Sequence, residues 1–236
     1  MTKPMIFDLN IRKTFRAANG RFDLQVCLKS ASERIVLLGE SGAGKSLTMK
    51  SIAGLLTPDS GHIRLQQKTL FDSALHINLT PRQRRLAYLF QDYALFPHLN
   101  VRQNIGFGLK QGWRNPHADI AHPKIEHWLQ VFGLQAVAHQ FPHELSGGQK
   151  QRTALARALI AEPCALLLDE PFAALDPALR AHMRSQLSQV QRQLRIPMIL
   201  ITHDDADAAQ LGDQVFRIHH GQLKDEHSEL ALVHTA

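Results

Sequence analysis

Apolar residues recur along this chain with two periods, and the switches between them predict its elements. Met5 to Ile11 and Phe22 to Leu28 alternate apolar with polar residues, as half-buried strands do, and Asn19-Gly20 between them reads as a turn. Arg34 to Leu38, Leu86 to Phe90, Cys164 to Leu168 and Pro197 to Ile201 are short continuous apolar runs, the pattern of strands covered on both faces. His62 to Leu65 and Thr69 to Phe71 read as short strands after the turn residues Thr57-Pro58-Asp59-Ser60-Gly61. Helical spacing predicts helices over Lys45–Leu56, Val101–Leu109, Lys124–Phe132, Gln149–Ala161, Ala178–Leu194 and Asp205–Leu211. The clearest is Ala178–Leu194, where Leu179, Met183, Leu187, Val190 and Leu194 form one apolar stripe. Leu79 to Arg85 reads as a polar connection. Gln214 to Lys224 reads as a hairpin around Gly221, and the tail after Asp225 is expected to be loose.

Between residues 92 and 145 the strand runs give way to helical patches broken at Pro97, Pro116, Pro123 and Pro142. Apolar anchors such as Leu129, Val131, Phe132 and Leu134 argue for an inserted helical subdomain rather than a linker. The α/β pattern resumes after Gly148, so the chain reads as one domain over residues 1–236 with that insert inside it.

Composition narrows the function classes. The chain is 44% hydrophobic and 20% charged, enough for a core with an ordinary polar surface. The net charge of +6 is scattered, and its densest cluster, Arg82, Arg84 and Arg85, reads as solvated surface, so no nucleic-acid partner is expected. Cys27 and Cys164 lie in apolar strand-like runs without a C-x-x-C pair, which predicts buried, reduced thiols and a cytosolic setting. His117, His122, His127, His139 and His143 lack metal-ligand spacing, so no zinc site is expected. No signal peptide is visible, and no apolar run nears the roughly 18–20 residues that span a bilayer. Work at a membrane would need another chain.

The candidate chemistry gathers at strand ends. Gly39-Glu40-Ser41-Gly42-Ala43-Gly44-Lys45-Ser46 fits the phosphate-loop pattern and lies between a predicted strand and a predicted helix. That context aims backbone N–H groups and the helix dipole at one point, where a phosphate would sit. Lys45 would reach the β- and γ-phosphates and Ser46 would hold Mg²⁺. Cys164–Leu168 ends in Asp169-Glu170, a metal-binding acid followed by a carboxylate able to orient or deprotonate water. Pro197–Ile201 ends in Thr202-His203, facing the expected γ-phosphate. Leu145-Ser146-Gly147-Gly148-Gln149 is a capping box by its Ser and Gln. Its paired glycines, poor helix formers, suggest N–H groups left bare for a close anion.

Leu145 to Gln149 matches the signature of the ATP-binding cassette family, and the order of motifs over nearly the full chain resembles that family. The resemblance implies that Phe15 stacks on adenine and that Gly39, Glu40, Ser41, Gly42, Ala43, Gly44, Lys45 and Ser46 form Walker A. It implies a Q-loop glutamine at Gln91, Walker B at Asp169 with catalytic Glu170, a D-loop at Ala174-Leu175-Asp176, and a switch histidine at His203. Ser46, Gln91 and Asp169 would hold Mg²⁺. Ser146, Gly147, Gly148 and Gln149 would close over ATP bound to a second copy packed head to tail. The expected fold is α/β, a P-loop NTPase core with an N-terminal antiparallel β-region and an inserted helical subdomain.

Ile77 to Arg85 and Phe90 to Leu99 are most similar to bacterial importer cassettes for molybdate and related oxyanions. The resemblance then implies an ATPase subunit, peripheral on the cytoplasmic side of the inner membrane. It would power permease subunits that a periplasmic solute-binding protein supplies. Such molybdate cassettes carry a C-terminal oxyanion-binding domain. None is expected here, since the chain ends soon after the predicted hairpin. Import of another solute is an alternative, as is a non-transport cassette acting on nucleic acid or ribosomes, although the long coiled-coil insertions of those relatives are missing. A plain P-loop kinase would leave Leu145–Gln149 and His203 without a role.

Overall fold

The computed structural model describes residues 4–17, 20–109, 115–173 and 175–225. Asn19 of the expected turn, Ala174 of the expected D-loop and the tail after Asp225 lie outside them. The chain opens with β1 (Phe7–Ala17), β2 (Gly20–Ser30) and β3 (Arg34–Leu38), then α1 (Lys45–Ala53). β4 (Ser60–Leu65), β5 (Lys68–Asp72), β6 (Ile77–Asn78), α2 (Pro81–Arg84) and β7 (Leu86–Leu89) follow. Two helices, α3 (Val101–Phe107) and α4 (Pro123–Val131), occupy the segment read as an insert, and α5 (Gly147–Ile160) leads out of it. The remainder is β8 (Ala165–Asp169), α6 (Pro177–Leu194), β9 (Met198–Ile201), α7 (Asp205–Leu211), β10 (Gln214–His219) and β11 (Gln222–Asp225).

One eleven-stranded sheet runs β6-β5-β4-β1-β2-β11-β10-β3-β9-β8-β7. From β10 to β7 every neighbouring pair is parallel, whereas β1, β2, β4, β5 and β6 pair antiparallel with one another and β2 meets β11 in parallel. Three of the continuous apolar runs are the central parallel strands β3, β9 and β8, covered on both faces of the sheet, and the fourth, β7, is the edge strand beside them. Ile35 and Leu37 of β3 join the apolar cluster around α1 and the antiparallel strands, while Val36 and Leu38 join the cluster beneath α5, α6 and the insert. β8 and β9 divide their side chains the same way.

Several expectations need correction. β1 extends to Ala17, so Phe15 stands on a strand opposite Phe22, not in a loop. α1 stops at Ala53 because Gly54 takes a left-handed φ of 79° as its C-cap, which leaves Leu55 exposed instead of on a helix face. The polar connection after Leu79 contains a short helix, α2, with its own capping box at Thr80. Cys27 is exposed on the outer face of β2 and Cys164 is half-buried, so neither is a core thiol. The stripe on α6 buries Met183, Leu187 and Val190 but ends at an exposed Leu194.

Arg84 departs furthest from its reading as solvated charge: it is fully buried. Its Nη1 donates to the carbonyls of Ser51 and Ile52 at 2.7 Å each, its Nε to Leu79 O at 2.8 Å, and its Nη2 to Asn78 Oδ1 at 3.0 Å. A helix end leaves carbonyls without intrahelical partners, and this guanidinium satisfies them at the end of α1. Burial pushes its pKa down to about 10, so it remains a cation at neutral pH.

Candidate functional site

The register of the parallel strands brings the predicted residues to one edge. Leu37 of β3 is level with Ile201 of β9, which is level with Asp169 of β8, and Leu89 of β7 is level with Leu168. The phosphate loop, Gln91, Asp169, Glu170 and His203 therefore all lie at or just beyond the carboxyl ends of neighbouring strands, where ligands bind in open parallel sheets.

The loop from Gly39 to Gly44 turns β3 into α1. Gly39 has φ 151°, and a Cβ there would lie 2.3 Å from the carbonyl oxygen of Ile218, so the tight start of the loop admits glycine alone. Glu40, Ser41 and Gly42 are exposed at its crown, while Ala43 is buried and its carbonyl accepts from Gly221 N–H at 2.9 Å. Gly44, left-handed at φ 105°, is the N-cap of α1. Lys45 opens the helix with its side chain turned back over the loop, Nζ donating to Gly39 O at 2.7 Å and Glu40 O at 2.9 Å.

Ser46 Oγ donates to Asp169 Oδ1 at 3.1 Å, which ties the first turn of α1 to the end of β8. The other oxygen, Oδ2, accepts from the phenol of Tyr88 at 2.8 Å. Burial, with the Asp169 charge beside it, pushes the Tyr88 pKa far above the usual phenol range, so the hydroxyl stays protonated and donates. Hydroxyl and carboxylate oxygens side by side below a glycine-rich phosphate loop are the hard donors that Mg²⁺ takes, so these residues fit a magnesium nucleotide.

Glu170 follows β8 in a left-handed conformation, φ 47°, with its N–H on Ile201 O at 3.0 Å. A non-glycine residue held there carries local strain of about 1 kcal/mol or more, which concentrates at functional sites. The strand-end geometry sets its carboxylate against His203, whose ring is largely exposed. Behind His203, Thr202 Oγ1 donates to the buried Asp207 at 2.7 Å, Arg184 Nε donates to Asp207 at 2.7 Å, and Arg180 Nη1 donates to Asp204 at 3.0 Å. The loop carrying His203 is thus braced by α6 and α7.

Gln91 is exposed beyond β7, and the loop after it is held from another element. Tyr93 and Ala94 both have positive φ, 62° and 43°, and their carbonyls accept from Arg157 of α5 at 2.9 Å each. Burial lowers the Arg157 pKa.

The segment Leu145–Gln149 realises its capping box. Ser146 is the N-cap of α5, its Oγ accepts from Gln149 N–H at 3.3 Å, and Gln149 Oε1 accepts from Ser146 N–H at 2.8 Å. The paired glycines divide. Gly147 is exposed, but Gly148 is buried, and a Cβ on it would lie 2.8 Å from Leu179 of α6. Close packing of two helices accounts for Gly148, a cause the sequence reading did not weigh. Ser146 and Gln149 bond to each other rather than to the phosphate loop. Phe15 is half-buried, its ring centroid 6.2 Å from that of Phe22. Asp176 caps α6 by accepting from Leu179 N–H at 3.0 Å.

Sequence reasoning missed Tyr88, Arg84 and the Arg184–Asp207 pair. Tyr88 left one signal, a phenol inside an apolar strand, since a buried hydroxyl needs a partner.

Known proteins resemble this arrangement in sequence and in fold. The sequence profile described as ABC transporter matches residues 23–173. A sulfate/thiosulfate import ATP-binding protein of Mycobacterium tuberculosis is 42% identical over 188 residues, 80% of this chain and 51% of the relative. An Fe(3+) ions import ATP-binding protein of Pectobacterium atrosepticum is 39% identical over 230 residues, 96% and 64% of the two chains. A molybdenum import ATP-binding protein of Paramagnetospirillum magneticum is 37% identical over 218 residues, 92% and 58%. The chain thus spans 51–64% of the length of these curated relatives. Among solved structures, a dimeric ATP-binding cassette in a post-hydrolysis state, bound to ADP and Pi, superposes with TM-score 0.77 at 25% identity, covering 93% of this chain and 98% of its own. Profile, identities and superposition agree, and the chain belongs to the ABC transporter family, with the mixed α/β fold of its ATP-binding cassettes.

Proposed function

We propose that this chain is the ATP-hydrolysing subunit of an importer and drives a small solute through a separate membrane permease. The observation that carries the reading is the shared strand edge, where Ser46 is bonded to Asp169 beneath the phosphate loop and Glu170 stands against His203. Residues 1–236 act as one cassette domain, with 92–145 as its helical insert.

Loop N–H groups from Gly39 to Ser46 cradle the phosphates, and Lys45 exchanges its two loop carbonyls for phosphate oxygens. Mg²⁺, when bound, neutralises charge on the transferring phosphoryl group. Ser46, Asp169 and Gln91 would hold it. Glu170 takes a proton from the attacking water, and His203 contacts the γ-phosphate. Phe15 stacks on the adenine. Ser146, Gly147, Gly148 and Gln149 close over the nucleotide of a second copy packed head to tail. The dimeric state of the cassette bound to ADP and Pi supports that arrangement.

Among the described residues no helix is long and apolar enough to cross a membrane. The subunit sits peripherally on the cytoplasmic face of the inner membrane, where permease subunits receive solute from a periplasmic binding protein. The solute is molybdate or a related oxyanion. Similarity of Ile77–Arg85 and Phe90–Leu99 to such cassettes supports this, as does the molybdenum importer among the relatives. The test is uptake into vesicles carrying the subunit with its permease and binding protein, using molybdate, sulfate and Fe(3+) in turn. ATP-driven molybdate uptake is the expected result. Uptake of Fe(3+) with neither oxyanion moved would overturn the solute assignment, and absence of ATP hydrolysis would overturn the activity.

A further inference from the structure

We propose that Tyr88 is a positioning residue for the metal site, its phenol holding one oxygen of Asp169 so that the other alone faces Ser46 and the metal. The proposal rests on the nucleotide-binding reading above and adds a residue to it.

The geometry is specific. Asp169 is buried, and its two oxygens have different donors. Oδ2 accepts from the Tyr88 hydroxyl at 2.8 Å, and Oδ1 accepts from Ser46 Oγ at 3.1 Å. Ser46 is the donor a nucleotide-bound metal would recruit, so Oδ1 is the oxygen released to it. Tyr88 lies on β7, a different strand from Asp169 and from the one that feeds the phosphate loop, and is fixed independently of both. Its level partner on β8 is Leu167, and its ring packs 4.4 Å, centroid to centroid, from Phe90. A carboxylate bonded on one oxygen by a fixed donor cannot rotate to chelate with both, and the bond to a charged acceptor is among the stronger hydrogen bonds. Tyr88 and Gln91 also leave the same strand, so the phenol ties that strand to the end of β8. Outer partners of this kind orient a metal ligand and tune its affinity about 10- to 100-fold.

Tyr88→Phe removes the hydroxyl and keeps the ring. Two quantities separate positioning from mere support: affinity for a fluorescent ATP analogue in EDTA, and the Mn²⁺ concentration that half-saturates the complex, read by electron paramagnetic resonance. The expected result is unchanged affinity in EDTA and a half-saturating Mn²⁺ concentration raised about tenfold. An unchanged Mn²⁺ requirement overturns the proposal. So does an equal loss of analogue affinity with and without metal, the mark of a purely structural defect. If Tyr88→Phe does not fold, Tyr88→Met fills similar space without a donor, and the same measurements decide. A parent chain that binds no ATP analogue under either condition overturns the nucleotide reading and the proposal with it. A defect confined to the Tyr88 variants cannot produce that outcome.

Discussion

His203 and Glu170 face each other from the ends of adjacent strands, Nδ1 standing 3.7 Å from Oε2. Backbone sets this distance: Asp169 is level with Ile201 across β8 and β9, and each side chain belongs to a residue just beyond. The histidine is therefore placed to orient the carboxylate.

Glu170→Gln keeps the shape and removes the base, since an amide does not accept a proton from water. ATP binding should persist while turnover falls about 10²- to 10⁴-fold, the range for loss of a general base. The variant should also elute as a dimer in the presence of ATP. Equilibrium binding, steady-state hydrolysis and size-exclusion chromatography test this. Parental turnover, or a monomer with ATP bound, contradicts the assignment.

Ser146 is exposed at the start of α5, with its side chain serving its own helix. That position suits contact with a partner's nucleotide better than with the phosphate loop of the same chain. Ser146→Arg and Lys45→Ala should each be inactive alone. A mixed dimer has one site with both defects and one with neither, so mixing should restore ATPase activity above either variant. No recovery, with mixed dimers demonstrated by mass spectrometry, would exclude head-to-tail sites.

Much of this arrangement was legible because its signals are local. The run Arg34–Leu38, the glycines after it and the helix start at Lys45 reappear as β3, loop and α1, and Asp205–Leu211 appears as read. Glu170 and His203 were found because strand runs end just before them. Contacts between distant segments were not legible. Arg84 looked like surface charge among other arginines, and only the packing of α2 against the end of α1 explains it. The close approach of Leu179 on α6 to Gly148 is likewise a contact between segments that the local pattern does not show. Tyr88 lies 81 positions from its acceptor, a pairing that no periodicity encodes.

Arg84 gives a stability test. Arg84→Met fills much of the same volume but strips donors from the carbonyls of Ser51, Ile52 and Leu79. Unfolding free energy should fall by about 3 kcal/mol, as for other lost partners of buried polar groups. The folded pKa of about 10 lies below the ordinary guanidinium value, so above it the unfolded chain binds the extra proton and stability from this group rises with pH only in that alkaline range. Over about pH 6 to 9 Arg84 is protonated in both states, and the gap between parent and variant should stay constant. Urea unfolding at several pH values checks both statements. A loss below about 0.5 kcal/mol, the scale of ordinary surface substitutions, would rule out the capping role.

The surface beyond Gln91 bears on permease docking, and the structure changes which residues to test. Leu95 is half-buried and packs on the core beneath the insert. Phe96 packs inward, 4.3 Å from the Phe107 ring and beneath the Arg157 guanidinium at 5.2 Å. Among the described residues 90–109, the large apolar side chains left exposed are Phe90 and Phe107. Next to Phe107, a groove of about 500 Å³ runs between the edge strand β7 and the helices, lined by Gly108, Leu109, the cations Arg82 and Arg85, and Lys124 paired with Glu162. An apolar edge beside a cationic groove fits a permease segment that carries apolar and acidic side chains. Leu95→Asp should destabilise the subunit by about 2 kcal/mol or more, since it places a carboxylate against the core. Phe107→Ser should leave the free subunit folded, with ATPase activity near the parent's, while pull-down of the permease weakens and uptake falls. Circular dichroism, free-subunit ATPase activity and permease pull-down separate the two variants. A stable Leu95→Asp that alone loses permease binding would return the contact to Leu95, and normal permease binding by Phe107→Ser would remove Phe107 from the docking surface.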